Sequence, residues 1–205
     1  MPLQNRVDPY GRLHAVPERG AWMGNRGVLH NEAKEIVARW RSPRWITCVL
    51  EFRGRRREVF APHRYSELFF LDEATSLAAG HRPCAECRKS RFKDFRAAWA
   101  AGRSDGVDFR PPTAGEMDRV LHSERLLPGG GKRTYQAALS SLPAGVIVEH
   151  GGNPHLIRAG KLRPWSFAGY GLAAGLPATT EVTVLTPRSI VRAIAAGFQP
   201  QVHGE

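Results

Sequence analysis

A chain of 205 residues with 42% hydrophobic content can bury a substantial core, which excludes bulk disorder. Thirty Lys and Arg face 19 Asp and Glu, a formal charge of +11 that favours polyanionic partners, nucleic acid first. No apolar run approaches the roughly 18–20 residues that span a bilayer, and the N-terminus lacks the apolar core of a secretory signal. A cytoplasmic protein without a membrane partner is therefore expected.

Residues 1–30 are punctuated by Gly11, Pro17, Gly20, Gly24 and Gly27 and read as loops, with Trp22 to Gly27 as a surface turn. Asn31 is placed to cap a helix over 32–41, with Ala33, Ile36, Val37 and Trp40 facing inward. Trp45 to Phe52 alternates as a strand does, Gly54 turns the chain, and 57–61 is expected to pair back as a hairpin. Eight arginines lie between Arg39 and Arg64 against two acids, Glu51 and Glu58. Such a surface either protects an edge strand from association or tracks a phosphate backbone, with Arg55, Arg56 and Arg57 its densest part.

Asp72 caps a short helix over 73–79, Gly80 ends it, and Cys84-Ala-Glu-Cys87 follows. Two thiolates at this spacing in one turn can share a tetrahedral zinc, and Pro83 stiffens the approach. A helix over 88–101 comes next. Its apolar side is Phe92, Phe95 and Trp99, while Arg88, Lys89 and Arg91 open a basic face. Thr113 and Glu116 form a capping box for a helix running to about residue 126. On it, His122 and Glu124 are candidate acid-base groups, or structural hydrogen-bonding partners.

From Val146 the pattern is β: 146–149, 156–158, 161–165 and 181–185, separated by Gly-rich turns. Thr186 and Pro187 then open a last helix as N-cap and first residue. The fold class expected is α+β, with short antiparallel strands, several helices and a small zinc-knuckle-like unit. Residues 1–126 make a mixed region carrying the knuckle, and 127–205 a β-rich region with a terminal helix, as separate units or one domain.

Residues 69–87 resemble the second half of the zinc-binding domain of the Ada-type DNA-repair proteins. The shared pattern is a pair of aromatics, a short helix ending Leu-Ala-Ala-Gly, and Arg-Pro-Cys-x-x-Cys. The resemblance implies Zn2+ on Cys84 and Cys87, and arginines such as Arg82, Arg88 and Arg91 facing DNA phosphates. It covers about a tenth of the chain, and the upstream Cys-x-x-x-Cys of that family is absent here. His63, in the turn before the knuckle helix, and Cys48, in an apolar strand, are the candidates to complete the ligand set, with His81 and His122 behind them.

Two function classes follow. One is a zinc-containing nucleic-acid-binding protein of DNA repair or processing, with DNA favoured over RNA. The other is a metal-supported hydrolase, nuclease-like or nucleotide-directed, using His122 and Glu124.

Overall fold

Short strands gather into two six-stranded sheets in the computed structural model, which describes residues 1–55, 58–103 and 110–204. The first sheet uses β1 (Arg6–Val7), β2 (Leu13–His14), β3 (Trp22–Asn25), β4 (Ile46–Cys48), β5 (Leu68–Phe70) and β6 (Arg82–Pro83), in the order β2-β1-β5-β3-β4-β6. It is mixed, because β1 runs parallel to β5 and β4 parallel to β6. The second sheet is antiparallel: β7 (Tyr135–Ala138), β8 (Ile147–His150), β9 (Asn153–Arg158), β10 (Lys161–Ser166), β11 (Gly169–Tyr170) and β12 (Glu181–Val184), in the order β11-β10-β9-β8-β12-β7. With the helices α1 (Glu73–Ala78), α2 (Lys89–Ala101), α3 (Ala114–Arg125) and α4 (Arg188–Ala195), the fold is α+β.

The three long helices cover the second sheet. Phe92, Phe95 and Trp99 of α2 and Met117 and Leu121 of α3 join Val148, Ile157, Val182, Ile190 and Phe198 in the largest core. That core draws residues from both sides of position 126/127, the boundary between the expected mixed and β-rich regions. A smaller core of Val7, Leu29, Leu68, Phe70 and Ala79 lies under the first sheet. Helix α1 is buried along its whole length between these bodies, packing Ala74 and Ala78 on Ile147 and Leu156. Its N-cap Asp72 accepts from Thr75 N at 2.8 Å, and also takes the Tyr170 hydroxyl at 2.8 Å. One carboxylate thus starts the knuckle helix and ties it to the second sheet.

Several local expectations are corrected. Residues 1–30 carry three strands, and β3, expected as a surface turn, is central in the first sheet, with Gly24 so close to the Phe70 ring that a Cβ would stand 2.6 Å away. Residues 32–41 form no helix. Asn31 Oδ1 accepts from Glu35 N at 2.9 Å, Lys34 takes φ 62°, and Val37 N donates to Leu29 O, so pairing back on the preceding segment replaces helical bonds. Val37 and Trp40 are accordingly exposed rather than inward. The strand after Trp45 ends at Cys48. Gly54 does lie in a turn, but residues 58–61 form no returning strand, and residue 57 is outside the described part. At α4, Thr186 is not the cap: its hydroxyl accepts from Ile147 N at 3.0 Å. Among the described residues, no helix is long and apolar enough to cross a membrane.

Candidate metal centre

The parallel pairing of β4 with β6 brings three cysteines together. Thr47 stands opposite Pro83, and Cys84 N donates to Thr47 O at 2.9 Å, so Cys48 comes beside the Cys84–Cys87 turn. The Sγ atoms of Cys48, Cys84 and Cys87 all lie within 4.8 Å of one another. Sulfurs around one tetrahedral zinc stand roughly 3.8 Å apart, given a Zn–S bond of about 2.3 Å, so small side-chain adjustments suffice to share an ion. Soft thiolates suit zinc, and the turn supports them: Glu86 N donates to Cys84 Sγ at 3.4 Å. Contacts from Cys48 and Cys87 hold the Cys84 thiol well below its ordinary range, while contacts from Cys84 and Cys87 push Cys48 up. The cluster therefore favours one thiolate at once until a cation arrives to stabilise the others.

His63 does not join this group. It lies in an exposed turn with φ 59°, outside the one cluster of metal-ligating side chains found among the described residues. His81 is wholly buried elsewhere, between Trp45 and Phe70, where its Nε2 accepts from Arg26 Nε at 3.2 Å. A set of three cysteines thus replaces the expected cysteine–histidine combinations.

The cluster opens on a cavity of about 430 Å³ lined by Met23, Ile46, Phe52, Tyr65, Glu67 and Phe69 with the three cysteines. Glu67 is only 4% exposed; its Oε2 accepts from Phe60 N at 3.0 Å, and its Oε1 has no hydrogen-bond partner. Sequence reasoning missed Glu67, because nothing local marks an acid between two buried residues as part of a site.

The arginines expected to face phosphate are largely turned inward. Arg82 makes a bidentate pair with Asp118, both side chains 4% exposed. Arg88 is buried over the Trp22 ring and paired at 2.7 Å with Glu73, which also holds Arg91 at 2.5 Å. These three brace the knuckle against α3 and α1, and their placement corrects the expectation that they form the phosphate surface. Lys89 is exposed, as is Arg55, which reaches Glu86 at 3.0 Å. Arg56 and Arg57 lie outside the described residues.

His122 and Glu124 do not form a dyad. His122 packs edge-on to Trp40 with its Nδ1 3.1 Å from Arg125 Nη2, and burial lowers its pKa. Glu124 points to α4, accepting from Ser189 N at 2.9 Å and from its hydroxyl at 2.5 Å. It supplies the cap that Thr186 does not, so the two side chains are engaged separately, His122 with Trp40 and Arg125 and Glu124 with α4.

No protein-family model matches the chain, and neither a curated protein nor a solved structure matches it. The three-cysteine cluster, which can hold a metal ion, is therefore the feature on which a functional reading rests.

Proposed function

We propose that this protein is a zinc protein that binds nucleic acid, with Cys48, Cys84 and Cys87 as the metal ligands. The observation that carries the reading is the convergence of three sulfurs on a cavity with Arg55 in its wall, together with exposed cations on the neighbouring segments. Arg55 belongs to one wall with Arg53 exposed just before it, Arg44 lies beside Cys84, and Lys89 and Lys93 share one face of α2 directly after Cys87. Arg44, Lys89 and Lys93, rather than Arg82, Arg88 and Arg91, are the exposed cations offered to phosphates, with Arg55 shared with Glu86, and the likeness to Ada-type zinc domains points to DNA before RNA.

Elemental analysis of the purified protein is expected to give one zinc per chain, lost in Cys48→Ser and in Cys84→Ser. Binding to single-stranded DNA, duplex DNA and RNA of one sequence should weaken steeply with salt, and the Lys89→Ala, Lys93→Ala variant should show a shallower salt slope. A metal-free, folded protein, or binding indifferent to salt, overturns the reading.

A second reading, a metal-supported hydrolase, is favoured by the cavity itself. Zinc on three protein ligands keeps a fourth position for an exchangeable ligand and supplies Lewis-acid polarisation there. Glu67, in the wall of the same cavity, takes the proton-handling part that His122 and Glu124 are not placed to play. Turnover of nucleotides or oligonucleotides that is lost in Glu67→Gln while zinc is retained would establish this reading; turnover unchanged in that variant would remove it.

A further inference from the structure

A second cavity, of about 550 Å³, is lined by Arg12, Arg26, Arg39, Arg125 and Lys132 together with Trp45 and the glycine loop at Gly130 and Gly131. Among the described residues, no Asp or Glu lines it. It shares no lining residue with the cysteine cavity.

Two of these cations are the bulkiest fully buried side chains described: Arg26 and Arg125, each 1% exposed. Both guanidinium carbons lie 4.0 Å from the Trp45 ring centroid. Their partners are neutral. Arg26 donates to Gly11 O at 2.9 Å, and Arg125 donates to Gly80 O at 3.0 Å and Pro43 O at 2.6 Å. Lys132 donates to Ala78 O, and Arg39 to Gly130 O at 3.1 Å. Arg26 Nη2 and Arg125 Nε are buried without a hydrogen-bond partner. Asp8, the acid that faces Arg26, already accepts from Arg12 N and contacts His14 Nε2, both at 2.9 Å, and Asp118, which faces Arg125, is held by Arg82. Backbone carbonyls solvate such charges only in part, so the folded chain carries a concentration of positive charge that packing alone would select against. Burial lowers Arg26 to about 9; burial and the neighbouring Arg26 charge lower Arg125 to about 9 and Lys132 to about 7.

We propose that this cavity is a binding site for a phosphate-type anion, gripped by Arg12, Arg26, Arg39, Arg125 and Lys132. Five donor side chains without a carboxylate match a multiply charged oxyanion, and arginine forks suit its tetrahedral oxygens. The volume exceeds what a lone phosphate fills and falls in the range of small-ligand pockets, so the anion is part of a larger phosphate ester: a free nucleotide or the phosphorylated end of a nucleic-acid strand. The site stands independently of the zinc reading.

Calorimetric titration of the full-length protein with pyrophosphate, at constant ionic strength, tests it. Binding is expected, with an accompanying rise in thermal midpoint. Lys132→Met should weaken binding by about tenfold or more, as should Arg12→Gln combined with Arg39→Gln, whose exposed side chains make loss of folding no concern. Lys161→Ala, which removes an equally charged exposed group from β10, should leave it unchanged. Absence of binding at millimolar pyrophosphate, or equal affinity in the cavity variants, overturns the proposal. Displacement of pyrophosphate by a 5′-phosphorylated oligonucleotide but not by its 5′-hydroxyl counterpart assigns the anion to strand ends. Displacement by a nucleoside triphosphate alone assigns it to free nucleotides; either result upholds the site.

Discussion

Arg82 and Asp118 face each other through two parallel hydrogen bonds of 2.8 Å, Nε to Oδ1 and Nη2 to Oδ2. The pair joins the strand that leads into the cysteine turn to the middle of α3, and both side chains are almost wholly withdrawn from water. Removing one partner strands the other charge in the interior. Asp118→Ala should therefore lower unfolding free energy by about 3–5 kcal/mol in a denaturant titration, whereas replacing both with apolar residues of similar volume should cost much less. If the single and double replacements cost the same, the pair is not coupled as described.

Ligand choice at the metal centre gives a sharp contrast between two positions. Cys48→Ser should abolish zinc retention and remove any chelator-induced fall in thermal midpoint, while His63→Ala should leave both as in the parent. The measurement is metal content after gel filtration, paired with melting in the presence and absence of chelator.

Glu124 caps α4 from a distance, since the N-cap Pro187 has no side-chain acceptor to offer. Glu124→Ala is expected to cost about 1–2 kcal/mol, the usual range for loss of an N-cap acceptor. His122→Ala should leave any hydrolytic activity intact. A variant of Glu124 that keeps full stability would show the cap to be incidental.

Stability should rise with pH above neutrality. Lys132 binds its proton more weakly in the folded chain, at about 7, than in the unfolded chain, at about 10.5. Between those values the unfolded state holds the extra proton, so raising the pH favours folding, by at most about 1.4 kcal/mol per unit for this one group. The penalty is fully present below pH 7, where Arg26, Arg125 and Asp8 are the charges that face it. Thermal midpoints between pH 7 and 9 should climb in the parent and flatten in Lys132→Met; equal slopes would exclude Lys132 as the source.

Gly80 ties the knuckle helix to α3. It adopts φ 88°, and a Cβ there would stand 2.7 Å from Arg125 Cδ, so Gly80→Ala meets both backbone strain and a clash. A loss on the order of 1–3 kcal/mol is expected, measurable as a drop in the denaturation midpoint.

Much of the local architecture was legible in the residues themselves. The Thr113 and Glu116 capping box starts α3, Asp72 caps α1, and the Phe92, Phe95 and Trp99 stripe turns inward on α2, because each depends on neighbours within a few positions. The Cys84–Cys87 turn belongs to the same class. Residues 32–41 were misleading, since good helix formers there pair back on Leu29 instead.

What the chain alone determined is its α+β character, the ends of α1, α2 and α3, the basic balance and the Cys84–Cys87 turn that could give half a metal site. Tertiary structure decided which residues complete it: Cys48 reaches the knuckle only through the parallel pairing of two strands separated by more than thirty residues. It also decided which arginines are withdrawn into ion pairs and which gather, unneutralised, around Trp45. Charge partners and metal ligands are properties of spatial neighbours, and neighbours far apart in sequence leave no periodic trace in it.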